Sequence, residues 1–264
     1  MAFGQRYLAQ DRTNKSVPTM FDDPLRWWLS PLSGASSHTL DTAVIWHARV
    51  MVLAWAVLLP LGAIAARYFK VTPRQDWPRQ VDNRAWWHAH RSFQYLGVAL
   101  MLVGAALAWN VGAQSSRVAL WHGYLGWCVI ALGVLQILSA WARGSKGGPT
   151  EPQLRGDHYD MTRHRLWFEA LHKGGGWLAV VLAIVTVTFG LITADAPRWM
   201  PFVLALWWLG LLAFGLHLER AGRCIDTYQA IWGPDMKHPG NQRGINGWRM
   251  RRPLANSPTD RNSP

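Results

Sequence analysis

Hydrophobic residues in this chain gather into five long runs, at residues 43–66, 87–109, 118–141, 166–193 and 199–218. Each is long enough to cross a bilayer core as a helix, which takes about 20 residues. The connectors between them, "VTPRQDWPRQVDNR", "NVGAQSS", "RGSKGGPTEPQLRGDHYDMTR" and "ADAPRW", are rich in the residues that end helices. The pattern predicts an all-α integral membrane helical bundle of five transmembrane helices. It divides the chain into an N-terminal extramembrane tail (1–42), a transmembrane domain (43–218) and a basic C-terminal tail (219–264). That last tail is expected to be irregular apart from a short interfacial helix in "RAGRCIDTYQAIWG". Pro60 and Gly62 inside the first run predict a local kink, tolerable where a neighbouring helix satisfies the freed carbonyl.

Charge sets the topology. The connector from Arg67 to Arg84 holds five Lys and Arg, that from Arg143 to Arg165 holds five, and the tail after 218 holds eight. The stretches 110–117 and 194–198 hold one each, and the N-terminal tail balances four basic against four acidic residues. The positive-inside rule therefore puts the long connectors and the C-terminus in the cytoplasm and the N-terminus outside. The first forty residues are polar, so no cleavable signal is expected. A net charge of +12 without a recognition motif is a topology signal, and nucleic acid is excluded as a partner. The 18 tryptophans suit membrane interfaces; Trp55 and Trp127, deeper in their runs, are expected to pack inside. Cys128 and Cys224 form no CxxC or CxxCH, which excludes covalent c-type haem and cysteine-based zinc sites.

The histidines carry the chemistry. His38, His158, His164 and His238 fall in tails or connectors, where a solvated ring needs no explanation, and His217 reads as interfacial. Each of the first four runs, however, has a histidine a short way from its start, and successive helices start on opposite faces. His47 and His122 therefore lie near the outer face, and His90 (or His88) and His172 near the inner face. A polar ring inside an apolar span is costly and calls for a partner. Two imidazoles from non-consecutive helices at one depth can converge on a bundle core, as bis-histidine ligation of a b-type haem requires. Gly126 and Gly174, Gly175 and Gly176 would clear room for a flat ring. Zinc, wanting four ligands at one point, fits poorly. Proton relay and purely structural histidines stay open as alternatives.

The motifs resemble the cytochrome b561 family, most closely the core that accompanies DOMON domains. "LPLGAIAARYFK" (59–70) resembles that group's signature after the first histidine. "HRSFQ" (90–94) matches H-x-x-x-Q and selects His90 over His88; "HGYLG" (122–126) and "HKGGG" (172–176) match H-x-x-x-G, with Lys173 where many relatives have a second histidine. The resemblance implies a four-helix di-haem core holding two haem b through His47 with His122 and His90 with His172, and transmembrane electron transfer as an oxidoreductase. The expected partners are membrane lipid, a small-molecule or protein electron donor and an acceptor; a homodimer and redox partner subunits are compatible with it. No DOMON-like segment is read here. The compact form points to a bacterial relative in an inner membrane, with a quinol, a dehydrogenase or a soluble cytochrome in place of ascorbate.

Basic residues acquire roles from the same resemblance. Arg67, Lys70 and Arg165, at cytoplasmic span ends, are candidates to hold an anionic donor through charge-assisted bonds. Arg49 and Arg91, beside His47 and His90, are candidates for haem propionates, and Gln94 for a hydrogen bond within the core. Two competing functions remain at this level: a membrane-anchoring haem subunit of a larger redox complex, and a haem-free proton or metal transporter.

Overall fold

The computed structural model describes residues 23–35, 39–109, 116–244 and 250–252; His38 and most of the connector at 110–116 lie outside the described residues. Eight helices organise the described chain: α1 (Pro24–Leu29), α2 (Thr42–Tyr68), α3 (Ala85–Ala108), α4 (Arg117–Trp141), α5 (Asp157–Asp160), α6 (Arg163–Thr193), α7 (Trp199–Arg220) and α8 (Thr227–Trp232). Five of them, α2, α3, α4, α6 and α7, are long and apolar enough to cross a membrane. Their ends fall within three residues of the runs read from the sequence. Caps fix several starts: the Asp41 carboxylate accepts from Ala43 N, Ser116 Oγ from Ala119 N and Thr162 Oγ1 from Arg165 N, each satisfying an orphan amide of the first turn.

Helices α2 and α3 pack along their length, as do α4 and α6, and these two contacts dominate the bundle. Between them lies a core of Ala54, Trp55, Leu59, Val98, Met101, Val129, Ala179 and Ala183. Small residues let the backbones approach: a Cβ on Gly97 would lie 2.7 Å from Leu59, and one on Gly133 would lie 2.9 Å from the Met101 sulfur. Helix α7 stands at the edge, with the most apolar stretch of its surface unburied by protein. Leu206, Leu209 and Leu212 are exposed there, as a lipid-facing surface requires. Trp127 is exposed on α4 and meets Trp109. It faces outward beside the end of α3 instead of packing inside.

The expected kink in α2 takes a specific form. Residues Leu53–Leu58 wind as a π-helical turn, with Leu59 N donating to Ala54 O. Pro60 has no N–H to offer the Ala56 carbonyl; Trp207 Nε1 of α7 donates to it instead, at 2.6 Å.

The segment after α7 departs from the irregular tail expected. Residues 222–244 and 250–252 fold against the connectors at 69–84 and 142–162 to form a cap at one end of the bundle. Every residue of α8 is buried, so this helix is an interior element and not an interfacial one. Tyr228 donates its hydroxyl to Tyr159 O, Asp82 N donates to Ala230 O, and Arg252 pairs with Asp226. Gly148 (φ +99°) passes directly over the Trp232 ring, where any Cβ would collide. His158, expected to be solvated, is buried in this cap between Tyr228, Trp232 and Glu169, because the chain beyond α7 folds back over it.

Candidate functional site

The four core spans bring their histidines together in two pairs. At one end His47 of α2 faces His122 of α4, with ring centroids 6.1 Å apart and planes at 90°. At the other end His90 of α3 faces His172 of α6, at 6.3 Å and 84°. His88 is exposed and takes no part in this pair.

Each ring is held by a polar atom on an adjacent helix. His47 Nδ1 lies 2.7 Å from Gly104 O, His90 Nδ1 3.0 Å from Gly62 O, and His122 Nδ1 2.9 Å from Thr186 O. A carbonyl oxygen only accepts, so in these three rings Nδ1 carries the hydrogen and Nε2 keeps its lone pair. His172 reaches the same state by a side chain: Ser139 Oγ donates to Gln136 O at 2.9 Å and accepts from His172 Nδ1 at 3.2 Å. Four imidazoles with Nδ1 tethered and Nε2 available are prepared as metal ligands. Glycine is required around them: a Cβ at Gly190 would meet the His122 ring at 2.9 Å, and one at Gly62 the Gln94 amide at 2.4 Å.

The spacing tests what such pairs can hold. Two imidazoles bonded to one metal through nitrogens about 2 Å away, with the ring radii added, have centroids about 6 Å apart. Both pairs match this. Among the described residues no three His, Cys, Asp or Glu side chains gather at one point, so the donors come in twos, as a planar macrocycle needs. A Cβ added at Gly126, Gly174 or Gly176 would meet nothing nearer than 3.7 Å, leaving open space beside His122 and His172. Gly175 serves otherwise, since Gln136 fills its position.

A cavity of about 1020 Å³ surrounds the His90–His172 end and continues to the cap. Its volume is at the upper end of the range for small-molecule and cofactor sites. Arg67, Lys70, Arg91, Gln94 and Arg165 all line it. Arg67 pairs with Glu219 at 2.5 Å, and Arg165 with Glu169 at 3.0 Å; Glu169 also holds Lys173 at 2.6 Å. Lys70 Nζ donates to Arg67 O and Ile225 O, and its burial pushes its pKa down to about 8. Gln94 Nε2 donates to Leu59 O, joining α3 to α2 one turn from His90. Arg49 stands apart, exposed over the Trp46 ring. Sequence reasoning missed Ser139, Glu169, Glu219 and Arg143. Ser139, one helical turn before Arg143, had only its position on the His172-facing side of α4 as a signal.

Five helices able to cross a membrane, with two half-buried pairs of facing histidines between four of them, define an all-α membrane protein. Comparison with known proteins finds likenesses to one family. Residues 46–145 match the family model for eukaryotic cytochrome b561. A cytochrome b561, DM13 and DOMON domain-containing protein of Arabidopsis thaliana is 27% identical over 193 residues, covering 72% of this chain and 19% of the relative. A second Arabidopsis protein, with cytochrome b561 and DOMON domains, is 30% identical over 150 residues, 55% of this chain and 27% of the relative. Human ferric-chelate reductase 1 is 28% identical over 134 residues, 50% of this chain and 22% of that protein. No solved structure matches. The chain is thus similar to cytochrome b561 proteins over its first spans, and it covers under a third of the length of these relatives. This likeness is consistent with transmembrane electron transfer in general and with b-type haem binding.

Proposed function

We propose that this chain passes electrons between a donor and an acceptor on opposite membrane faces through two b-type haems, one at His47 and His122, the other at His90 and His172. The observation that carries the reading is the pairing of four Nδ1-tethered imidazoles at centroid spacings of 6.1 and 6.3 Å. Haem iron, when bound, supplies a one-electron couple at each level. The chain's own residues do the rest. Gly104, Gly62, Thr186 and Ser139 fix the tautomer and orientation of each ring, and the apolar core between the levels excludes water. On this reading Arg49 and Arg91 meet haem propionates, and Gln94 holds the α2–α3 contact beside His90.

The cavity at the His90–His172 end is the entry site for reducing equivalents. Arg67, Lys70 and Arg165 give it positive charge suited to an anionic donor, with Glu219 and Glu169 holding two of them in place. By the distribution of Lys and Arg this end faces the cytoplasm and the N-terminus lies outside, in a bacterial inner membrane.

The test is the dithionite-reduced minus oxidised visible spectrum of the detergent-purified chain, with haem per chain from the pyridine haemochrome. Two b-type haems per chain support the reading. A folded, colourless protein from haem-replete cells overturns it and returns the histidines to proton or metal chemistry.

A further inference from the structure

Three polar groups lining the cavity, those of Arg143, Arg91 and Tyr95, have no acceptor among the described residues. Arg143 and Arg91 both lie over the indole of Trp87, with guanidinium carbons 4.5 and 5.7 Å from its centroid. Neither has a hydrogen bond or ion pair with a carboxylate among the described residues. Tyr95 stands beside them, with Arg91 5.6 Å above its ring; its hydroxyl oxygen accepts from Trp141 Nε1 at 3.1 Å, which leaves its own hydrogen to donate. All four side chains line the cavity, and Trp87 is 6.2 Å from His90.

Positive charge at a cytoplasmic helix end needs no ligand, but topology does not call for two arginines on one indole beside a ligand-bearing histidine. Arg143 is half-buried, and burial together with the charges of Arg165 and Arg91 lowers its pKa against the opposing pull of Glu151. Glu151 lines the same cavity but makes no ion pair with Arg143 or with the exposed Arg91 among the described residues, and a carboxylate seated between the two arginines would gain charge-assisted, bidentate bonds. Arg165 and Lys173 share the one Glu169 carboxylate, whereas Arg91 and Arg143 have no ion pair among the described residues.

We infer that Arg143, Arg91 and Tyr95, arranged on Trp87, form a seat for a carboxylate, occupied by a propionate of the haem held at His90 and His172. This rests on the haem reading above and extends it to Arg143, Tyr95 and Trp87. The alternative source of the same chemistry is a carboxylate on a soluble donor, and the two sources separate by experiment.

The full-length chain carrying Arg143→Gln, Arg91→Gln or Tyr95→Phe is purified, and its haems are titrated potentiometrically, the inner signal being the one lost in His90→Ala. Removing positive charge from beside the haem favours the oxidised state. Arg143→Gln is expected to shift the inner reduced-to-oxidised ratio about three- to tenfold at fixed ambient potential, roughly 30 to 60 mV for a one-electron couple. It should also speed haem loss to an excess of a haem-scavenging apoprotein. Arg143→Lys should recover most of the potential, and an unmoved outer signal marks each variant as folded. Haem dimethyl ester, with uncharged propionates, should shift the inner haem of the unsubstituted chain the opposite way, toward the reduced state, and should make haem retention insensitive to Arg143→Gln. Unchanged inner potential and haem retention in both arginine variants overturn the inference, including the case in which only the KM for an anionic reductant rises. A chain without haem overturns both this inference and the reading on which it rests; a di-haem chain indifferent to Arg143 and Arg91 overturns this inference alone.

Discussion

Trp207 of α7 donates its indole hydrogen to the carbonyl oxygen of Ala56 in α2, 2.6 Å away, at the residue whose helical acceptor role Pro60 leaves unfilled. An unmet carbonyl inside a membrane is costly, so this bond ties the loosely packed fifth span to the core. Trp207→Phe is expected to destabilise the protein by about 1–3 kcal/mol, read as a lower thermal midpoint in detergent. In a Pro60→Ala background, where an N–H at 60 can serve Ala56, the cost should shrink. An equal cost in both backgrounds would show that Trp207 acts by packing alone.

On the proposed paired ligation, removal of these histidines should be pairwise selective. His47→Ala and His122→Ala should each lower haem from about two to about one per chain, with the same remaining spectrum. His90→Ala and His172→Ala should leave the complementary spectrum. Depletion by His88→Ala in place of His90→Ala would reassign the inner ligand.

Ser139 is the side-chain tether among three backbone ones. Ser139→Ala removes the acceptor for His172 Nδ1–H while leaving the coordinating nitrogen in place. Losing a bond of this kind is expected to weaken the inner site about tenfold, measured as haem dissociation, and to raise the inner potential because the imidazole becomes a poorer electron donor. Ser139→Thr, which retains the hydroxyl, should behave nearly as the unsubstituted chain does.

The buried His158 gives an acid-sensitive cap. Burial, with Arg165 nearby, lowers its pKa from 6.5 to about 3. Between those values the unfolded chain binds a proton that the folded chain refuses, so stability rises with pH across this window and is lost on acidification from about 6.5 toward 3. The contribution is at most about 1.4 kcal/mol per pH unit. His158→Gln should flatten this part of the thermal-midpoint profile; an unchanged slope would place the acid sensitivity elsewhere.

The spans and the histidine pairs were legible in the sequence because both follow from local patterns. A long apolar run declares a helix, and a histidine near each start fixes its depth once helices alternate. The cap was not legible. Locally "GDHYDMTR" and "DTYQAIWGPD" are polar and turn-rich, and only the return of the chain beyond α7 buries Tyr228, Trp232 and His158 together. The pairing of Arg67 with Glu219, 152 residues apart, was hidden for the same reason. Trp127 misled because depth along a helix says nothing about which side of it faces the neighbour.

The tethers of the four rings also divide the bundle. His47 leans on Gly104 of α3 and His90 on Gly62 of α2; His122 leans on Thr186 of α6 and His172 on Ser139 of α4. Each helical hairpin, α2–α3 and α4–α6, thus orients its own two rings without help from the other. Both ring pairs, by contrast, cross the seam between the hairpins. A metal shared at each level would rivet two preassembled halves, so cofactor capture and closure of the bundle would be one event. Two fragments divided between residues 109 and 116 would then be expected to find each other in the membrane only when haem is supplied.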